Sequence, residues 1–303
     1  MDKIDAELLE QVADLHTIPV GAFNIRKNGE SEARNSTENI EITSQNGGLV
    51  INIKPNTVKE SVHIPVIISK SGLQEVVKND FYVGENSDVL IVAGCGIDNC
   101  GNKDSRHDGV HTFYIGKNAK VKYVEKHYGQ GDGTGGRIMN PKTVVYLEEG
   151  AKLEMQTDQI KGIDSTIRDT EVHAKAKTEV AITEKLMTHG TQNAESRMNV
   201  YLEGKNSKAR IISRSIAKDS STQVFYPCMT GQNECFGHVQ CDSIIMDNAK
   251  IKSIPAINAE SVDSVLIHEA AIGKIAGDQL LKLETLGLTH EEAEALILKG
   301  FLK

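Results

Sequence analysis

Tyr114-Ile-Gly-Lys-Asn-Ala-Lys-Val121 returns in altered form as Tyr146-Leu-Glu-Glu-Gly-Ala-Lys-Leu153, Tyr201-Leu-Glu-Gly-Lys-Asn-Ser-Lys208 and Ile245-Met-Asp-Asn-Ala-Lys-Ile251. Each copy places the end of a strand, a turn bearing Gly or Asn, and the start of a second strand in the same order. Such units repeating without helices between them predict coils stacked on one another, a β-solenoid. The irregular spacing of the copies leaves a plain series of hairpins as the alternative. From about residue 38 onward the surrounding texture agrees with strands, as in Gly48-Leu-Val-Ile-Asn-Ile53, Asp88-Val-Leu-Ile-Val92 and Thr143-Val-Val-Tyr-Leu147.

The ends read differently. Ile4, Leu8, Val12 and Leu15 recur at helical spacing, so residues 2–16 are expected to form a short amphipathic helix, which Pro19 and Gly21 end. After Ile257 the strand texture stops, and Asp278 to Leu286 and Glu291 to Gly300 read as helices carrying Leu280, Leu283, Leu296, Ile297 and Phe301. Thr289 with Glu292 predicts a capping box ahead of the second, whose Ala293, Leu296, Ile297 and Phe301 mark an apolar face. That face either caps the open end of the solenoid or docks another protein. The expected organisation is an N-terminal helix with an extended lead-in over 1–37, a core over 38–260, and a last coil followed by helices over 261–303.

Composition bounds the function. The chain has 303 residues, 39% hydrophobic and 25% charged, no Trp and 4% aromatic residues, which suits a core of stacked aliphatic side chains. A formal charge of −8 argues against wholesale binding to nucleic acid. Met1 to His16 is acidic and amphipathic, unlike an export signal, and no run approaches a membrane span, so a cytoplasmic location is expected. Five cysteines, Cys95, Cys100, Cys228, Cys235 and Cys241, then favour metal or redox chemistry over a disulfide framework, with small buried hydrophobes as the plain alternative.

Two motifs fail on context. Gly131-Asp-Gly133-Thr-Gly-Gly136 fits the dinucleotide pattern but leads into a strand, not the helix that would hold a pyrophosphate. His107-Asp-Gly-Val-His111 has the spacing of a helical zinc motif, yet Gly109 and the strand Thr112-Phe-Tyr-Ile115 make a helix doubtful. Cys95 and Cys100 with these histidines, or with His127, would suit a stand-alone metalloenzyme; strong turn formers around them favour an ordinary turn. No phosphate-binding loop with its Lys occurs, so any ATP hydrolysis is expected in a partner.

The remaining constellation is Cys235-Phe-Gly-His-Val-Gln-Cys241-Asp-Ser243, followed 27 residues beyond Cys241 by Leu266-Ile-His268-Glu269. One coil of a solenoid spans such a distance, and neighbouring rungs lie about 4.8 Å apart, so Cys241 can meet His268 or Glu269. Alternation sends these two to opposite faces; Glu269 is favoured as the ligand and His268 as proton partner or alternate ligand. Cys235 shares a face with Cys241, but in a straight strand they stand roughly 20 Å apart, so only a bend at Gly237 or a second chain would unite them.

These residues, with His268-Glu-Ala-Ala-Ile-Gly273, Leu286-Gly-Leu-Thr-His-Glu-Glu-Ala293 and Lys299-Gly-Phe301, resemble the SufB/SufD family of iron–sulfur cluster assembly scaffolds, and its SufB-like branch in particular. The resemblance implies a right-handed parallel β-helix whose C-terminal helices bind SufC, an ABC-type ATPase. It implies a transient cluster near a β-helix pairing interface, with Cys241 as the principal assembly cysteine and Glu269 and His268 beside it. It implies a scaffold and not an enzyme, acting as a homodimer or with a SufD-like paralogue, fed by a sulfur donor and serving apo-protein recipients. Ile267 stands where the larger scaffold subunits carry an acid, and the N-terminus is shorter than theirs. A cluster-free, SufD-like structural partner is the other member of the family it resembles.

Overall fold

Strands account for 61% of the chain and wind into a parallel β-solenoid of about 8 turns; the structure, a computed structural model, describes residues 3–13 and 21–303. Two sheets of ten and eleven strands face each other, and nearly every neighbouring pair is parallel and comes from successive coils. The coil is 32 residues early on, as from Phe81 to Phe113, and 27 to 29 later, as from Val145 to Val172 and from Val239 to His268. The longer coils carry excursions around Cys100–Asp104 and Gly131–Gly136, which is why the repeat looks irregular in the sequence.

In the middle coils alternation assigns each strand residue a face. In Lys152–Lys161 and Glu179–Thr188 every second residue from Leu153 to Gln159 and from Val180 to Thr188 is buried, and Leu153, Met155, Val180 and Ile182 among them join one continuous apolar core. Rings are few but placed there: Phe81 stacks on Phe113 with centroids 4.4 Å apart, and Tyr123 lies beside them. The corner turns stack too. Asn86 and Asn118 adopt left-handed backbone at φ 57° and 58°, and Gly150 takes the next place at φ 74°. Asn tolerates that region better than any residue but Gly, so the Gly/Asn alternation at this position of the repeat has a backbone cause.

Helix α1 (Lys3–Ala13) lies on the outer face of the ten-stranded sheet. Leu8, Leu9, Val12 and Ala13 are buried there, whereas Leu15, the end of the expected stripe, lies outside the described residues. The strand Asp88–Asp98 receives the helix by presenting Gly94 and Gly96; a Cβ on Gly94 would stand 2.5 Å from the Val12 carbonyl oxygen. The lead-in also contains an antiparallel hairpin, Ala22–Lys27 with Glu30–Asn35, paired to the first long strand. A second hairpin, Ile40–Gln45 with Gly48–Ile53, covers the edge of the other sheet.

At the other end, Ser264–Gly273 forms the last rung of the ten-stranded sheet, with no further strand beyond it among the described residues. Helices α2 (Gly277–Thr285) and α3 (His290–Phe301) follow, and the Thr289–Glu292 capping box opens α3 as its sequence predicts. Lys218 pairs with Glu294 at 2.7 Å and Arg214 donates to the Phe301 carbonyl at 3.4 Å, tying α3 to the penultimate coils. Ala293 and Leu298 are buried, Ile297 and Phe301 half-buried, and Leu296 exposed. Leu280 and Leu283 of α2 are half-buried, beside the exposed Leu281. No helix among the described residues is long and apolar enough to cross a membrane.

Candidate functional site

Cys235–Ile245 runs as one unbroken strand between two parallel neighbours, with Cys235, Gly237, Val239 and Cys241 facing the lumen and Phe236, His238 and Gln240 facing out. On the last rung Val239 aligns with His268 and Gln240 with Glu269. His268 is therefore luminal and Glu269 external. The thiol of Cys241 lies 3.7 Å from His268 Nε2, whereas Glu269 reaches His238, with Oε2 3.4 Å from Nε2. The structure thus joins Cys241 to His268 and sets Glu269 on the opposite face of the same two strands.

Cys235 stays apart. Its strand has no bend at Gly237, where a Cβ would meet the Met229 sulfur at 2.1 Å, so the glycine makes room for a packed core and not for a turn. The Cys235 thiol donates to Ser264 Oγ at 3.5 Å. Among the described residues no three His, Cys, Asp or Glu side chains converge to hold a metal ion.

Electrostatics favour a neutral pair at rest. Burial, with smaller contributions from Glu184 and Asp242, pushes the Cys241 thiol up to about 11, although Ser253 opposes the shift. Burial and the nearby His238 lower the His268 imidazole. Near neutral pH the thiol keeps its proton beside an imidazole with a free lone pair, an arrangement in which an arriving cation displaces the proton onto a ready acceptor. Cys241 is 3% exposed, and on its inner side lies a cavity of about 10 Å³, room for one water, lined by Glu184, Ser213, Ser215 and Ser253 among others.

Glu184, on the wall of that cavity, belongs to a polar stretch of lumen. Arg168 reaches Glu125, donates to His127 Nδ1 at 3.1 Å and lies 3.9 Å from Glu184. Glu184 in turn accepts from Ser196 at 2.7 Å and Ser213 at 3.0 Å. Burial works against its charge, yet Arg168 and His127 hold Glu125 well below the usual carboxylate range. The legible signal was the presence of Glu and Arg at positions where the period of two demands an inward side chain, as in Arg168 between Thr166 and Thr170.

The other candidates are accounted for locally. His107 and His111 sit on a strand, Ser105–Ile115, with Nδ1 of His107 2.9 Å from Glu75 and Nδ1 of His111 2.8 Å from Tyr123 Oη. Cys95 is buried in the lumen, while Cys100 is exposed on its excursion and donates to Asp98 at 3.1 Å. Cys228 faces outward and accepts from Asn258 at 3.7 Å.

Comparison with known proteins gives one consistent result. The family model described as the SUF system FeS cluster assembly, SufBD core domain, matches residues 67–301. An iron–sulfur cluster assembly SufBD family protein of Methanothermobacter thermautotrophicus is 26% identical over 268 residues, covering 86% of this chain and 64% of that protein. Proteins of the same description from Methanocaldococcus jannaschii and Pyrococcus horikoshii are 29% and 28% identical, covering 80% and 78% of this chain and 77% and 71% of their own lengths.

Proposed function

The chain belongs to the SufBD core-domain family of the SUF system, and from that premise we propose that it is a scaffold on which iron–sulfur clusters are assembled and then released. The observation that carries this reading is the Cys241–His268 pair on the last, open coil. Here the cluster is cargo. A resident cluster is usually enclosed by four thiolates, whereas one thiolate with nitrogen or oxygen ligands forms a weaker, exchangeable hold.

In this reading Cys241 gives up its proton, with His268 as first acceptor, and as a thiolate anchors iron, which carries the sulfide. Once His268 has passed that proton to solvent, its neutral imidazole is free to serve as a ligand beside the thiolate. One chain supplies too few groups, so a second copy or a SufD-like paralogue brings its own across the exposed last rung; under two-fold symmetry each ligand appears twice. Cys235 joins only by way of such a second chain, and Glu269 contributes from the outer face. The α2–α3 hairpin is the docking element for a SufC-type ATPase, whose closure opens the coil end above Cys241.

Release is what distinguishes a scaffold from a cluster protein. The chain, loaded anaerobically with iron and sulfide, is expected to pass its cluster to an apo-protein offering four cysteines. Retention of iron and sulfide in the presence of excess acceptor would contradict the reading. Changing Leu296→Asp together with Ile297→Asp is expected to abolish co-purification with the ATPase while leaving the β-rich circular dichroism spectrum intact.

A further inference from the structure

We propose that a groove on the outer face of the ten-stranded sheet docks an extended acidic segment of a partner protein. The groove holds about 750 Å³ and crosses successive rungs from Asp88 to Phe236. Parallel register brings Asp88, Lys120, Lys152, Glu179, Lys208 and Phe236 into one column. Five steps of about 4.8 Å make it roughly 24 Å long, the span of about seven residues of extended chain. Helix α1 covers another part of this face on the first coils, and α3 meets it at Arg214; among the described residues no element lies in the groove.

Charge decides the occupant. The groove is lined by five cations and three carboxylates, in a chain whose formal charge is −8. All three carboxylates are engaged by lysines of neighbouring rungs: Asp88 by Lys120 at 3.9 Å, Glu154 by Lys122 and Glu179 by Lys152, both at 2.8 Å. Lys208 and Arg210 are left, both exposed and with no carboxylate at ion-pair distance among the described residues; the Arg210 guanidinium turns to Gln240 at 3.5 Å. The positive excess is thus gathered at one end of the groove. An anionic segment is attracted there and repelled by the acidic surface elsewhere, which fixes where it binds more than how tightly.

The same end offers apolar surface. Phe236 is 43% exposed and aligns with Lys208 on the preceding rung. In the next column Ala181 stands between Glu154 and Arg210, so a short side chain opens a notch where its neighbours are long. Two free cations beside a ring and a notch select carboxylates followed by one apolar side chain; a bare polyanion would leave Phe236 unused. Beyond Phe236 the next residue of the column is Val265 on the last rung, so a partner held here is tethered beside the open end of the solenoid.

The inference stands apart from the assembly reading, and its test uses neither iron nor sulfide. Fluorescence anisotropy follows a dye-labelled, amidated peptide, Ser-Gly-Ser-Glu-Asp-Glu-Leu, as the full-length chain is added. Binding is expected, and salt should weaken it, as screening of exposed charges requires. Reversing the two free charges, Lys208→Glu with Arg210→Glu, should weaken it about tenfold or more. Phe236→Ser should weaken it about threefold through lost apolar contact. These positions are exposed, so the β-rich circular dichroism spectrum should be unchanged in each variant. Lys142→Glu, at an exposed lysine on the other sheet, should bind as the unmodified chain does. Absence of binding, equal affinity for a peptide with Gln and Asn in place of its acids, or indifference to the double reversal overturns the site. An equal loss in Lys142→Glu, or inorganic polyphosphate or single-stranded DNA bound as tightly as the peptide, also overturns it, as the mark of unspecific charge. A double reversal that changes the oligomeric state in sedimentation gives the groove to a second copy and overturns it too.

Discussion

The two ends of the solenoid are finished in opposite ways. At the N-terminal end two antiparallel hairpins cover both sheets, and the outermost strand, Glu30–Asn35, is polar and exposed except at Ala33. At the C-terminal end the last rung is parallel and, among the described residues, bears no strand on its outer edge, with Val265, Ile267 and Ile272 exposed at 53%, 40% and 46%. A charged edge refuses further strands, whereas an apolar one invites them. The difference teaches where the molecule spends stability and where it keeps surface available, and the Cys241–His268 pair lies at the available end.

The largest effect is expected inside, between those ends. Arg168→Leu takes away the guanidinium that the buried Glu125 and Glu184 share, and breaking a buried charge group in this way costs about 3–5 kcal/mol. Urea unfolding should show it as a lowered midpoint. An unchanged midpoint would mean that the polar lumen is wet enough to solvate two carboxylates.

Acid should act on the same interior. Burial lowers His111 to about 4 from its ordinary 6.5. The unfolded chain takes up that proton below pH 6.5 and the folded chain only near 4, so stability falls as pH drops through this window. The loss from His111 alone is on the order of 3 kcal/mol. His111→Gln should flatten the dependence of the unfolding free energy on pH between 7 and 4.5.

Smaller changes separate the ends. Gly94→Ala pushes a methyl against the Val12 carbonyl and should lift α1 from the sheet, at about 1–3 kcal/mol for overpacking. Hydrogen exchange would show it as lost protection in Lys3–Ala13. By contrast Ile267→Lys at the open rung should change stability by less than about 0.5 kcal/mol, as surface substitutions do. If two copies pair across this rung as proposed, it should nonetheless shift dimer to monomer in sedimentation; a pronounced drop in stability instead would mean that the last rung is part of the core and not a surface.

The coil was legible because its signals are local. A strand–turn–strand repeat, Asn or Gly at a left-handed corner, and a capping box at Thr289 each lie within a few residues of chain. The pairing across coils was also legible, since a parallel rung converts a 27-residue separation into contact, as it does for Cys241 and His268. What the spacing did not decide was the face: Glu269 and His268 differ by one residue, and a register shift of one exchanges lumen for solvent. The sequence also marked Leu296 as part of the helix stripe, yet the chain buries Leu298 and leaves Leu296 in solvent, because the orientation of α3 is set by Lys218 and Arg214 some 80 residues earlier. The charged lumen around Arg168 depends on three coils meeting, which no single stretch encodes.

Iron and acid-labile sulfide retained per chain after anaerobic reconstitution, compared between the unmodified protein and single Ala replacements of Cys241, His268, Glu269 and Cys235, test the central claim most directly. The account predicts that Cys241→Ala abolishes both, that His268→Ala and Glu269→Ala each lower them, and that Cys235→Ala has the least effect. Full iron and sulfide in Cys241→Ala would contradict it.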